Sequence, residues 1–241
     1  MSLASDLRCR APGPELMDAP DCDETMLLRT IDQFRIINSL FSRYRAVLDR
    51  WVLQDMLQDP GREYHLVDMG AGGLDISTWL LRAAARRGLR LRVTAIELDG
   101  RVYRHAMSMR PARPELTVVN GDVFRVLPEI GPADYAFCNH FLHHLDDATI
   151  VKLLQLLSRT VRRRFVLSDL LRSFASYMGF DLFGRLFLHR SFAHADGLTS
   201  IRRAFLPDEL RNLVQRAGTP ARVSVHHLNP GRLLVVGTVD R

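Results

Sequence analysis

Residues 65–75 read HLVDMGAGGLD, an apolar run that closes on an acid and then a glycine cluster. His65–Met69 predicts a short buried strand, and Ile76–Arg87 predicts the helix that follows it. Gly70, Gly72 and Gly73 fill the turn, where the backbone must bend sharply and approach a ligand closely. The helix start beyond such a turn offers unpaired N–H groups to the polar edge of whatever binds there. The same stretch is equally compatible with a plain tight turn, so its surroundings decide.

Those surroundings alternate strand and helix. Leu91–Glu97, Leu116–Val119, Asp134–Asn139 and Arg164–Ser168 read as strands, with helices over Gly100–Met109 and Asp147–Thr160. Repeated βα units imply a parallel sheet with helices on both faces. After a helix over Pro207–Ala217, Arg222–His227 and Arg232–Val239 are joined by an Asn-Pro-Gly turn and read as an antiparallel hairpin. The expected fold is therefore α/β: a doubly wound, mostly parallel, seven-stranded sheet, Rossmann-like in plan.

Three further segments complete the expected organisation. Residues 1–23, rich in Pro, Asp and small residues without periodicity, read as a disordered tail. Residues 24–58 carry apolar side chains at helical spacing, from Leu27, Ile31 and Phe34 to Leu48 and Trp51, and read as a helical cap with a break at Asn38-Ser39, either over a ligand site or merely over one sheet face. The main domain spans 59–241, with a lid insertion over 173–206 that holds six of the twelve phenylalanines.

Composition narrows the class. With 47% hydrophobic and 25% charged residues in a chain of 241, a full globular core is expected. No apolar run approaches the roughly 20 residues that span a bilayer, so no membrane insertion is expected. The first residues lack the apolar stretch of a signal peptide. Cys9, Cys22 and Cys138 form neither a disulfide framework nor a metal-binding spacing, which suits a reducing, cytoplasmic setting. The net charge of +6 raises the question of nucleic acid. However, its arginines are scattered and no aromatic-and-basic recognition motif accompanies them, so no nucleic-acid partner is expected. No metal is expected either.

In an open α/β sheet, ligands bind beyond the carboxyl ends of the strands. Four such ends are polar or Gly-rich here: Asp68–Gly73, Glu97, Gly121-Asp122 and Asn139–His144. Asp68 is placed to fix the loop or meet a ligand's ammonium. Glu97 is placed to accept from a ribose diol. Asp122 can receive an adenine's exocyclic amine, with Val123 or Phe124 against its face. A dinucleotide fingerprint wants a third glycine where this chain has Asp75. An acid at that helix start repels pyrophosphate but tolerates a sulfonium–adenosine ligand, so S-adenosylmethionine is favoured over NAD.

The stretches VDMGAGGLD, TAIELD, NGDVF and ADYAFCNHFLHHLDD resemble the successive motifs of class I S-adenosylmethionine-dependent methyltransferases. The likeness is to small-molecule enzymes of the ubiquinone/menaquinone-biosynthesis and polyketide-pathway type, and it covers about Thr30 to Leu171. It implies that Gly70 and Gly72 carry the cofactor's amino-acid end, Glu97 its ribose and Asp122 its adenine; Asp68, Val123 and Asn139, at the same strand ends, are read as further cofactor-binding residues. The chain departs from the pattern at Gly73-Leu74, where a glycine at the fifth loop position is more usual.

His140, His143 and His144 are the candidate catalytic residues, because a histidine near the transferred methyl can take a proton from a phenol or acidic carbon. The competing reading gives them structural and cofactor-contacting roles. Cys138 reads as a strand residue rather than a nucleophile, and Asp146-Asp147 as a helix cap. Phe174, Tyr177, Phe180, Phe183 and Phe187 read as an apolar lid over a hydrophobic acceptor, with Asp196, Ser200 and Arg203 lining its pocket; a homodimer interface is the alternative. The expected activity is methyl transfer to oxygen or carbon of a hydrophobic, aromatic small molecule. The alternatives are an NAD-linked oxidoreductase and a non-catalytic S-adenosylmethionine-binding protein.

Overall fold

The computed structural model describes residues 7–109 and 113–239. Strands β1 (Glu63–Met69), β2 (Arg90–Glu97), β3 (Leu116–Asn120), β4 (Ala133–Asn139), β5 (Val161–Leu170), β6 (Arg222–Leu228) and β7 (Arg232–Thr238) form one sheet in the order β3-β2-β1-β4-β5-β7-β6. The first five run parallel, while β7 lies antiparallel between β5 and β6. The sheet reverses direction of winding between β1 and β4, so their carboxyl ends open a crevice there. Asp68 lies beside Ala95 on one side and Phe137 on the other, deep at this switch point.

Helix α1 (Glu24–Ile37) starts on Asp23, whose side chain accepts from the Met26 amide, and buries Leu27 and Ile31. The cap breaks where the sequence suggests, in a wide turn over Asn38–Ser42, and Arg43 follows in the left-handed region at φ 53°. Short helical pieces over Tyr44–Leu48, Asp49–Leu53 and Gln54–Met56 then cover one sheet face, burying Val47, Leu48, Val52, Leu53 and Met56 against Tyr64, Leu66 and Tyr135.

Helices α2 (Asp75–Ala85), α3 (Gly100–Ser108), α4 (Val123–Ile130) and α5 (Asp147–Thr160) connect the parallel strands. Helix α4 was not expected from the sequence. It is short and contains Pro128, yet the Asp122 side chain caps it by accepting from Phe124 N at 2.8 Å. Asp146 caps α5 by accepting from Thr149 N at 2.7 Å, as its position before an apolar-periodic run suggests. The basic run entering β5 is ion-paired: Arg163 and Arg164 both reach Asp55.

The insertion forms two helices, α6 (Phe174–Phe187) and α7 (Ala193–Arg203), before α8 (Pro207–Ala217). They pack closely because glycines remove the obstructing side chains. A Cβ on Gly184 would lie 2.2 Å from the His194 ring, and one on Gly197 would lie 2.1 Å from Phe180. The aromatic residues divide between two faces. Phe180 and Phe183 join Phe34 and Phe41 beneath the cap, whereas Phe174, Met178, Leu182 and Leu186 form an exposed row at a four-residue spacing.

The segment read as a disordered tail is corrected by the structure over residues 7–23; the first six residues lie outside the described part. Its polar groups find fixed partners across the carboxyl edge. Asp196 of α7 accepts from Leu16 N and Met17 N at 2.8 and 3.0 Å, and buried Arg172 donates to Leu7 O and Arg8 O. These bonds are all long-range, so composition carries no trace of them. Among the described residues, no helix is long and apolar enough to cross a membrane.

Candidate functional site

The carboxyl ends of β1, β2, β3 and β4 meet in one row, with α1 laid across them. After β1 the chain turns at Gly70, where φ is 67° and a Cβ would sit 2.8 Å from the Phe141 ring. Gly72 is also left-handed, at φ 50°, but a Cβ there would meet nothing within 4 Å. One glycine is needed for packing and the other borders open space. Gly73 is covered by Ile31 of α1, 3.2 Å from where its Cβ would be. Leu74 holds the left-handed position that closes the loop, φ 59°, and is buried against Ala95 and Ala106. The strain, roughly 1–2 kcal/mol, is offset by burial of the isobutyl group.

Glu97 latches this loop to β2. Its Oε2 accepts from Gly72 N and its Oε1 from Asp99 N, both at 2.9 Å. Burial raises its pKa against the pull of those amides. Asp68 lies beneath the loop and accepts from Ser77 Oγ of α2. Burial pushes its pKa up to about 7, and Asp75 and Glu97 add to the shift. Of its two expected roles, this geometry matches loop fixing. Asp122 is exposed at the end of β3 and caps α4 through Oδ1. Val123 is only 6% exposed and packs with Ile96 and Leu127 in the core, because α4 turns its first residue inward. Partly exposed Phe124 beside it is the better candidate for an adenine face.

The end of β4 is tied down by Arg232 of β7, which the sequence reading missed. Its guanidinium donates to Asn139 Oδ1, to Ser168 Oγ at 2.7 Å and to His140 Nε2 at 2.8 Å. Asn139 Nδ2 in turn donates to Asn38 of the cap at 3.0 Å, and Asn38 donates to Asp75. His140 itself sits at φ 57°, a strained position for a histidine that the Arg232 contact helps to hold. Burial, then the Arg232 charge, keep its pKa well below the usual value, so the ring is neutral and its Nε2 is an acceptor. Burial lowers Arg232 itself to about 10, which leaves it charged at neutral pH.

The other two histidines follow in a single 3₁₀ turn, Leu142–His144. His143 is 1% exposed; its Nδ1 lies 2.7 Å from Asp169 Oδ1 and its Nε2 3.3 Å from Glu15 Oε1. Burial alone would lower its pKa, but the charges and hydrogen bonds of Asp169 and Glu15 raise it to about 9. Asp169 is correspondingly held well below the carboxylate range, its burial being overcome by His143. His144 is partly exposed and approaches Asp18 at 3.3 Å. The three rings are neighbours, with centroids 6.4 and 4.4 Å apart, but His143 is sealed and His144 faces the N-terminal segment.

Asp196, Ser200 and Arg203, expected to line an acceptor pocket, hold that segment instead. Ser200 Oγ donates to Glu15 Oε1 at 2.6 Å, and Arg203 donates to Gly13 O and His143 O. Cys138 is a fully buried strand residue whose thiol is pushed up by burial. Glu15 and Arg232 were illegible beforehand because each acts far from its place in sequence. Only the register of the terminal hairpin, which sets Arg232 beside Leu170, could have pointed to the arginine.

Residues 67–164, from β1 into β5, match the methyltransferase domain family. No curated protein matches the chain in sequence. Among solved structures, human N-acetylserotonin methyltransferase in complex with S-adenosylmethionine superposes with a TM-score of 0.66 at 15% identity, over 96% of this chain and 61% of that one. Magnesium protoporphyrin IX methyltransferase from Synechocystis, with bound S-adenosylhomocysteine, gives 0.54 at 15% identity over 82% of each chain. The plantazolicin methyltransferase in complex with a triazolic peptide analogue gives 0.66 at 10% identity, over 88% of this chain and 91% of that one. The chain thus spans about three fifths of the human enzyme. Residues 67–164 thus match a methyltransferase domain, and the chain has the seven-stranded fold of the S-adenosylmethionine-dependent methyltransferases it superposes on.

Proposed function

We propose that the protein transfers a methyl group from S-adenosylmethionine to an oxygen or carbon of a hydrophobic, aromatic small molecule such as a phenol, quinol or polyketide. The observation that carries this reading is the Glu97–Gly72 latch beside an open glycine face. It sets a carboxylate at ribose height on β2 and bare backbone at the loop. Asp75 opens α2, where a pyrophosphate would meet negative charge and a sulfonium–amino acid would not. Asp122 and Phe124 stand at the adenine end.

When bound, S-adenosylmethionine supplies an electrophilic methyl. The chain's own part is alignment and exclusion of water. Asn38, Asn139 and Arg232 fix the end of β4, and neutral His140 stands beside the space where an acceptor oxygen would be held. His143 and His144, with their carboxylate partners, suit a supporting role better than that of a free base. The inner face of the insertion, Phe180 and Phe183, together with Phe34 and Phe41 of the cap, offers the apolar wall. Its exposed outer row suits self-association into a homodimer. The three cysteines are unpaired, in keeping with a cytoplasmic setting.

Calorimetric titration with S-adenosylmethionine, S-adenosylhomocysteine and NAD(H) tests the reading. Binding of the first two, weakened about 10- to 100-fold by Glu97→Ala, is the expected result. Binding of NAD(H) alone would overturn it. Methylated product from a panel of phenols and quinols separates an enzyme from a non-catalytic binder.

A further inference from the structure

Beside the cofactor crevice, three side chains from two distant parts of the chain converge. Glu15 comes from the N-terminal segment, and His143 and His144 from the turn after β4. One ligand atom from each, a ring nitrogen of either histidine and a Glu15 carboxylate oxygen, lies within 4.8 Å of the other two. His143 Nε2 is 3.3 Å from Glu15 Oε1, and His144 Nε2 is 4.0 Å from Glu15 Oε2. Ligands of a tetrahedral zinc ion stand about 3.3 Å apart, given metal–ligand bonds of about 2.0–2.2 Å. The first pair already has that spacing, and the partly exposed His144 ring must close the remainder.

The outer partners argue more strongly. Histidines that bind a metal through one nitrogen almost always give the other to a carboxylate, carbonyl or water, which fixes the tautomer. Both histidines do this here with the same nitrogen. His143 Nδ1 lies 2.7 Å from Asp169 Oδ1, and His144 Nδ1 lies 3.3 Å from Asp18 Oδ2. With Nδ1–H kept by its outer carboxylate in each ring, a metal ion that displaces the Nε2 proton of His143 meets both Nε2 atoms facing the Glu15 carboxylate. Glu15 is itself anchored: Ser200 Oγ donates to it, and Asp196 fixes the two following amides. Asp18 and His144 are 35% and 28% exposed, so the cluster opens to solvent on that side.

We propose that Glu15, His143 and His144 form a binding site for a divalent transition-metal ion of the zinc class, with Asp169 and Asp18 as its outer carboxylates. Two imidazoles and one carboxylate suit zinc and its neighbours, whereas magnesium and calcium want oxygen ligands throughout. An ion there joins the N-terminal segment to the end of β4, one turn from His140. It also leaves a coordination position on the open side for water.

The test uses the full chain, tag-free, stripped with a chelator and dialysed against zinc or cobalt(II). Wild type should retain about one zinc per chain, and its cobalt form should absorb in the visible far more strongly than hydrated cobalt. His144→Ala replaces a partly exposed ligand and is expected to fold; it should weaken zinc binding at least about 100-fold. Asp18→Asn, which leaves all three ligands, should weaken it about 10-fold. His227→Ala, on the exposed edge of β6, should bind as wild type does. A wild-type cobalt spectrum identical to hydrated cobalt, or zinc retained equally by His144→Ala, would overturn the proposal.

Discussion

Arg232 donates to His140 across 92 residues of sequence, 2.8 Å from Nη1 to Nε2, and is itself only 1% exposed. One buried cation therefore holds a strained histidine, the Asn139 amide and the Ser168 hydroxyl together at the carboxyl ends of β4 and β5. Replacing it as Arg232→Met should raise the His140 pKa, since the largest of the charges that depress it is removed. Imidazole nitrogen shifts followed by NMR against pH give the midpoint. The variant should also lose about 2–4 kcal/mol of stability as three acceptors lose a charged donor. An unmoved midpoint would separate the arginine from the histidine's protonation.

The two left-handed glycines predict different phenotypes. Gly70→Ala forces a methyl to within 2.8 Å of the Phe141 ring at φ 67°, so it should lower the melting temperature markedly, by about 2–3 kcal/mol in stability. Gly72→Ala has free space and only the backbone penalty of about 1 kcal/mol, yet it places a methyl where the ligand approaches. Its S-adenosylmethionine affinity should therefore fall more than its stability does. Parallel thermal melts and titrations give the comparison. Equal effects on both properties in both variants would remove Gly72 from the ligand's surface.

Most of the sheet was legible because its signals are local. Glycine after β1, acids ending β1 and β2, and Asn-Pro-Gly before β7 each act within a few residues of where they stand. The Asp146 cap on α5 was legible for the same reason. What escaped reading depends on separation in sequence. Glu15 meets His143 only because Asp196 and Ser200, almost two hundred residues on, hold the N-terminal segment down. Helix α4 escaped because its periodic run is only eight residues long and contains a proline. Candidate residues were thus found where a strand end announces them, whereas the buried arginine and glutamate that fix those strand ends carry no local mark.

His65 predicts a pH dependence of stability. It is 3% exposed on β1, its Nε2 lies 2.9 Å from Thr94 Oγ1, and its Nδ1 has no partner. Burial lowers its pKa to about 4, with Arg92 adding to the effect. A histidine depressed in the folded state is charged first in the unfolded chain. Its contribution is therefore whole above about pH 6.5 and declines as pH falls toward 4. Urea unfolding at pH 7 and pH 4.5 should differ by about 2 kcal/mol more in wild type than in His65→Gln. Equal slopes in the two proteins would place the acid sensitivity elsewhere.

Helix α6 has two apolar faces, and separate substitutions divide their roles. Phe183 stands edge-on to Phe41 of the cap, with ring centroids 4.9 Å apart, and also touches Phe187 at 5.1 Å. Leu182, one residue earlier, is 63% exposed in the outer row. If the inner face is the acceptor's wall, Phe183→Ala should raise KM about tenfold for whichever phenol or quinol is turned over. The Kd for S-adenosylhomocysteine should hold, because the loop after β1 is untouched. Leu182→Glu should leave both constants alone and shift any dimer toward monomer in sedimentation, since a charge on that row cannot be buried without a partner. A change in oligomeric state from Phe183→Ala with constant KM would reverse the assignment: the insertion would then be an interface through its aromatic core, and the acceptor's wall would have to lie on α1.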